Sequence, residues 1–577
     1  MSSDASAATC RKIRWLCLAA AVATLACNIP GVCRFLAAVD WNMSWLGERG
    51  FSGNGPHADD FRELAERYVP SGESLYYCMA SREGALAPVD RDVHLALSWE
   101  RMPVPVRYGS ADGYGDASAI VTSRFSCKEF AGYRAVAENG SARLWLRDDV
   151  PVRRNVSEAR EMWKPVVREV FGTVLPCLVM VAAVPVFWKG RRGARFRAGG
   201  CVCAVAFFML TSVIALTHTL LAPTGLGVHA GKAKLLYAAG GIPAGFFNDA
   251  AYSSFQPAYP PGLPLLTFLG YVLSGHCGEW LVQMLAAASF ALALYIGVGE
   301  AKDGGWPAQM LVLSMFSGAN VLQMATMYYA EGLMMLPLIV GFASLGGNAR
   351  DLRGWLLLGL AGLVKNEGIV LASAIWLMHV AYDAGRNRIS RSENWRTVAG
   401  RWMPCLLAAV GPALAWHLFA HSQGAVFYDY APLWRPGFAR FAEALRRILA
   451  AAFLRPWKFG FAYPAAALLI LASMLGRRRS AAWRVEREAL VMAGVALACI
   501  PAFALVYSYS MAPDFEWHVR TSVDRLLWCP ATMLAVFGFR RQCRCNSHVE
   551  GAERIMPGTD SATARNAMQR ELDVYCD

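Results

Sequence analysis

The chain predicts an all-α polytopic membrane protein with about 12 transmembrane helices and a small extracytoplasmic α/β domain inserted after the first helix. Three observations carry that expectation. Of its 577 residues, 55% are hydrophobic and only 17% charged, whereas a soluble chain carries about 25% charged residues. The apolar residues gather in runs of roughly 17–25, the helix length that crosses about 30 Å of hydrocarbon. Arg and Lys gather in the short loops between runs, as cytoplasmic loops of membrane proteins do. Only helices and closed barrels satisfy their backbone polar groups in lipid, and these runs are helix-length.

The net charge of +13 therefore reads as a topology signal, helped by attraction to anionic lipid. No nucleic-acid motif accompanies it, and no nucleic-acid partner is expected; the bilayer is. Of the sixteen cysteines, most lie in apolar runs, where the thiol acts as a small hydrophobe. Cys78 and Cys127 fall in the polar domain and can pair if it is exported. Cys543 and Cys545 are a weak metal signal, because a zinc site needs two more ligands.

Taken in order, residues 1–39 are a cytoplasmic N-terminus and an uncleaved anchor, with Arg11, Lys12 and Arg14 before an apolar run from Trp15. Residues 40–168 form the exported domain. Its segment 58–69 (ADDFRELAERYV) reads as an amphipathic helix, and 74–80, 119–125 and 141–147 read as strands. Three Asn-x-Ser sequons fall in or near it, at Asn42, Asn139 and Asn155. Residues 169–540 form the transmembrane domain, with an outer loop at 223–276, and 541–577 a basic cytoplasmic tail.

The topology turns on 263–275 (LPLLTFLGYVLSG), which is apolar but short for a span. As a shallow interfacial helix it lets every later basic loop fall inside. Spans then run at 169–188, 199–222, 279–299, 307–325, 333–348, 355–364, 369–382, 403–420, 459–476, 489–507 and 524–539. Both termini are inside a cytoplasmic membrane. The polar residues that interrupt the apolar runs gather on the outer face, and ionisable groups at membrane depth usually line a cavity or pathway.

These interruptions supply the candidate residues. His229, Lys232 and Lys234 are three potential cations for a phosphate, or lysines that snorkel at a membrane edge. Asp249 is the only carboxylate between Thr217 and Glu279. It can take a proton or hold a divalent metal ion, or it can cap a turn. Tyr259 opens Tyr-Pro-Pro-Gly, which starts the interfacial helix. Glu331 stands at the head of an apolar span, where a helix dipole alone favours an acid. Lys365, Asn366 and Glu367 break a long apolar stretch, which is costly unless they are paired or wet. His518, Arg520 and Arg525 cluster at the mouth of the last span, as phosphate ligands or as an interfacial ion network.

Three of these strings carry a resemblance. GKAKLLYAAGG followed by YPPGLPLL, LVKNEGIVL, and WHVRTSVDRLLWCP resemble motifs of the GT-C superfamily of polyprenyl-phosphate-sugar glycosyltransferases, nearest the bacterial protein mannosyltransferase-like branch, glycosyltransferase family 39. The likeness covers 220–540. It implies a GT-C-like membrane fold with an outer cavity. A sugar on a polyprenyl phosphate is transferred there, with inversion, to an extracytoplasmic acceptor in the cell envelope. The first-loop acid usual in that family is missing from Ala222–His229, so Asp249 or Glu331 would substitute for it; Glu367 is a further candidate catalytic residue. Two other readings stay open: a polyprenyl-linked glycan transporter or flippase, and a catalytically degenerate GT-C-like assembly protein.

Overall fold

A computed structural model describes residues 3–37, 75–78, 106–109, 117, 119–123, 130, 133–139, 142–149, 197–217, 224–249, 252, 255–275, 279–346, 348–390, 395–425, 437–476, 487–510 and 515–538. The expected helix at 58–69, the span at 169–188, the Cys78–Cys127 pairing and the tail from 541 lie outside these residues. The described protein is mostly helical, with several apolar helices compatible with a polytopic membrane protein.

The first helix, α1 (Ser3–Ala37), covers the segment expected as an anchor, and Trp15–Arg34 within it is long and apolar enough to cross a membrane. A five-stranded sheet follows: β1 (Leu75–Cys78), β2 (Val106–Gly109), β3 (Ala119–Ser123), β4 (Tyr133–Asn139) and β5 (Ala142–Arg147). The order is β2-β1-β3-β5-β4; the first three strands are parallel and β4–β5 is an antiparallel hairpin. Ile120, Phe130 and Trp145 form its core, and the Tyr133 hydroxyl donates to the Ala117 carbonyl at 2.5 Å. The three segments read as strands in the sequence are β1, β3 and β5; β2 and β4 are additions.

The helical part comprises α2 (Arg197–Thr217), a π-helical turn (Thr224–Gly231) running into α3 (Lys232–Ala239), α4 (Gly262–Ser274), α5 (Glu279–Glu300), α6 (Trp306–Phe316), α7 (Ala319–Thr326), α8 (Glu331–Leu345), α9 (Leu352–Val364), α10 (Asn366–Ser390), α11 (Trp395–Ser422), α12 (Phe438–Leu449), α13 (Ala462–Gly476), α14 (Arg487–Ser508) and α15 (Phe515–Phe537). Among the described residues, five helices are long and apolar enough to cross a membrane, or six if α7 and α8 form one span bent by 106°. Five further apolar helices are of 10–17 residues. The expected span at 307–325 is instead two helices, α6 and α7, parted at Ser317-Gly318, where Gly318 is extended.

The outer surface explains the composition. Leu407, Leu414 and Leu418 on α11 and Leu468, Leu471 and Met474 on α13 are exposed. Soluble monomers rarely leave apolar patches of this kind uncovered; a bilayer covers them. The segment 263–275 forms α4, with Leu263, Thr267 and Tyr271 packed inward and Leu265, Leu269 and Leu273 outward.

Charge is sorted along α10. Lys365 precedes its first turn, and Asp383 lies about 27 Å further along at 1.5 Å per residue. Around Asp383, two basic segments, at Arg350 and Arg487, converge with Trp402 of α11. Arg350 lies at 3.6 Å and Arg487 at 3.2 Å, and Trp402 Nε1 donates at 3.1 Å. The other charge group lies around Lys365. Two polar ends about a hydrocarbon thickness apart fit a membrane-crossing helix.

Close helix packing depends on small residues, which let backbones approach where apolar burial between helices gains little. A Cβ on Gly341 of α8 would lie 2.8 Å from the Gly354 carbonyl oxygen of α9 and 2.9 Å from the Leu358 nitrogen, whereas one on Gly411 meets nothing within 4 Å. Gly341→Ala is therefore expected to destabilise the protein by about 1–3 kcal/mol, the range of overpacking. Gly411→Ala should be neutral or stabilising, given the better helix propensity of Ala. Unfolding of the two variants in detergent measures the difference.

Candidate functional site

The site is built where helices stop. Helix α9 ends at Val364, and Lys365 is a single extended residue before α10 begins. Its N–H donates to the Ala361 carbonyl at 3.0 Å, and its own carbonyl accepts from Gly368 N–H at 2.9 Å. Gly368 makes this turn possible, because a Cβ there would overlap the Ala361 carbonyl. The break sends the Lys365 side chain sideways into the bundle. A second break joins α7 to α8 through Tyr328, whose φ of 57° is left-handed. That turn sets Glu331 in the first turn of α8, where the helix dipole favours its charge.

These two breaks meet. Lys365 Nζ lies 2.8 Å from Glu331 Oε1 and 3.1 Å from Glu367 Oε1. From α15, Arg525 lies 3.6 Å from the same Glu331 oxygen, and its guanidinium sits over the Tyr329 ring at 4.4 Å. Glu331 is 1% exposed and Lys365 7%, so neither charge is relieved by solvent. Glu331 Oε2, Glu367 Oε2, Asn366 Oδ1 and Arg525 Nε are buried without a hydrogen-bond partner among the described residues. The sequence-expected residues Glu331, Lys365, Asn366, Glu367 and Arg525 thus share one centre.

The π-helical turn and α3 close it from another side. The buried His229 ring meets Tyr259 and Tyr328 edge-on, with centroids 5.7 and 6.1 Å apart. The Tyr328 hydroxyl in turn pairs with Thr267. His229 feels the charges of Lys232, Glu331, Lys365 and Arg525, and burial, then Lys232, pushes it down to about 3; the ring is neutral. Lys232 is 4% exposed. Its Nζ donates to the Tyr259 carbonyl at 3.1 Å and lies 5.7 Å from that ring's centroid. No carboxylate pairs with it among the described residues, and burial pushes its ammonium well below the usual lysine range. Lys234, two residues on along α3, is half-buried.

The remaining expected residues lie elsewhere. Asp249 closes a turn, its N–H donating to the Gly245 carbonyl at 2.8 Å. That turn belongs to a separate aromatic cluster of Phe246, Phe247, Tyr252 and Phe255, packed against Trp416 of α11. His518 serves the α14–α15 joint: its Nδ1 pairs with the Ser510 hydroxyl at 2.8 Å, and its ring meets Tyr507 at 5.4 Å. Arg520 is exposed and lines a different cavity. As for a metal, no group of three His, Cys, Asp or Glu gathers among the described residues. Glu331 and Glu367 both face the Lys365 ammonium.

Sequence reasoning missed the platform that Tyr329 gives Arg525 and the group formed by Lys458, Asn320 and Asp524, in which Asn320 Nδ2 donates to Asp524 at 3.1 Å. Comparison with protein families, with curated proteins and with solved structures returns no match for the chain.

Breaking one partner of a buried pair leaves the other charge stranded, at a cost of about 3–5 kcal/mol. Glu331→Gln and Lys365→Met are each expected to destabilise on this scale. The double variant should lose less than their sum, with a coupling of at least about 1 kcal/mol. Chemical unfolding in detergent closes the cycle; additive losses would remove the pair from the account.

Proposed function

We propose that the protein is a membrane glycosyltransferase of the GT-C-like kind. It would move a sugar from a polyprenyl-phosphate donor to an acceptor on the outer side of a cytoplasmic membrane. The observation that carries the reading is the buried centre at Lys365. Three basic side chains (Lys232, Lys365 and Arg525) gather around two acids, Glu331 and Glu367, and among the described residues no carboxylate pairs with Lys232. An anion entering beside Lys232 would restore the ammonium that burial suppresses. A phosphate supplies that charge with several acceptor oxygens, and Arg offers it a planar fork of donors.

The proposed chemistry is a single displacement. The acceptor hydroxyl oxygen attacks the anomeric carbon, and the bond from that carbon to the phosphate oxygen breaks. Its electron pair stays on the phosphate. Lys365 and Arg525 stabilise the charge that develops, and a preorganised cation in a dry site is worth more than one in water. The acceptor proton passes to a carboxylate. Glu331 carries both Lys365 and Arg525, which makes it the group that holds these cations in place. Glu367 has one cationic partner and is more open, 22% against 1% for the side chain, and it takes the role of base. Asp249, in its separate aromatic turn, takes none. The full topology of about 12 spans, the inner placement of both termini and the exported domain around the β-sheet belong to the same proposal.

A second reading is a carrier for polyprenyl-linked glycans. The 106° break between α7 and α8 favours it, because carriers bind at broken helices. Purified protein given a labelled polyprenyl-phosphate sugar and a mixture of envelope acceptors separates the two. A transferase releases polyprenyl phosphate and labels an acceptor; a carrier moves the donor intact. Lys365→Ala and Glu367→Gln should each cut transfer by at least about 100-fold, the scale of general acid–base and electrostatic catalysis, while Asp249→Ala stays near wild type. Unchanged turnover in both Lys365→Ala and Glu367→Gln would sink the assignment.

A further inference from the structure

A cavity of about 300 Å³ opens between α12, the turn after it and α15. Arg446 and Arg447 come from α12, Arg455 from the turn, and Arg520 and Asp524 from α15. Their charges are unequally answered. Glu443 pairs with Arg446 at 2.7 Å and with Arg447 at 2.5 Å, and Arg447 also reaches Glu516 at 3.0 Å. Hydrogen bonds from Arg446 and Arg447 hold the Glu443 carboxyl down to about 2, so it stays ionised. Asp524 is held by Lys458 and Asn320. Arg455 and Arg520 have no ion-pair partner among the described residues. Among the described residues, the cavity therefore presents two guanidinium groups that no carboxylate pairs.

Its remaining walls are apolar. Ala451, Val519 and Val523 line it, and Leu454 is 73% exposed beside Arg455. Helix α12 is amphipathic: Ala444 and Ile448 are buried, and Arg446 and Arg447 lie toward the cavity. A helix with arginines beside exposed apolar residues suits the headgroup layer of a membrane. Cationic donors above an apolar wall fit a ligand that is anionic at one end and apolar at the other.

We propose that this cavity binds the phosphate headgroup of an anionic membrane phospholipid, with Arg455 and Arg520 on the phosphate and Leu454 against the start of the acyl chain. The site is separate from the centre at Lys365, and the inference stands whether or not that centre transfers a sugar. The two share α15: Asp524 lines the cavity, and the next residue, Arg525, pairs with Glu331. A bound headgroup would fix the end of α15 that delivers Arg525.

The test uses the full chain in detergent and native mass spectrometry, with phosphatidylglycerol, phosphatidylcholine or inorganic phosphate added separately. Phosphatidylglycerol should be retained in preference to phosphatidylcholine. Arg455→Gln combined with Arg520→Gln should weaken that retention by about tenfold or more, at roughly a kcal/mol for each basic residue near anionic lipid. Both arginines are exposed, with no ion-pair partner among the described residues, so the variant should fold; a normal unfolding midpoint checks this. Leu454→Ser should weaken phosphatidylglycerol without changing the response to inorganic phosphate. Equal retention of the two lipids, or unchanged retention in the double variant, overturns the proposal. Full displacement by inorganic phosphate at matched concentration would leave a simple anion site and overturn the lipid assignment.

Discussion

The contact between Lys365 and Glu331 is the constraint on which the rest of this structure depends. It joins two helix breaks that are distant in sequence, the single extended residue between α9 and α10 and the left-handed turn between α7 and α8. A charged pair this deep is costly to assemble, because desolvation offsets most of the Coulomb gain. It persists through additional partners: Glu367 on the lysine, Arg525 on the acid, and the face of Tyr329 under that arginine. Four helices are thereby tied at one level. Replacing a buried ion pair by apolar residues is often neutral or stabilising, and ionisable groups kept inside an apolar bundle usually line a cavity or pathway.

The same arrangement separates two acids that the sequence runs together. Glu331 is doubly engaged and almost fully enclosed. Glu367 is singly engaged and more open. At the other end of α10, Asp383 is engaged by Arg350, Arg487 and Trp402. Charge near the Lys365 end is distributed over two neighbouring places, the buried centre and the arginine-lined cavity, with α15 contributing to both.

Much of this was legible in the chain because polar residues inside long apolar runs stand out. Lys365-Asn366-Glu367-Gly368, Glu331 and Arg525 were identifiable on that ground, and the structure brings them together. Asp249 was singled out because it is the lone acid in its loop. Loop membership does not fix direction, and the aromatic residues around it pack that turn against α11 instead. The break at Ser317-Gly318 was hidden because neither residue is polar enough to interrupt a hydropathy average. The arginines of α12 were passed over between the spans expected at 403–420 and 459–476, although Phe438, Phe441, Leu445 and Ile448 recur at helical spacing and marked an amphipathic helix. In the sheet, β1, β3 and β5 are apolar enough to read. β2 is only four residues with a single apolar aliphatic, Val106, and β4 mixes Arg134, Glu138 and Asn139 with small alanines, so neither stands out by hydropathy.

The central claim is that the Lys365 centre receives the phosphate of a lipid-linked sugar. Its most direct test is an electron cryomicroscopy map of the full chain with a bound polyprenyl monophosphate. The account predicts phosphate density within hydrogen-bonding distance of Lys365 and Arg525, with Lys232 turned toward it and the prenyl chain leading out to the lipid-facing surface. Phosphate density lodged elsewhere, with the Lys365–Glu331 pair closed and unchanged, would contradict it.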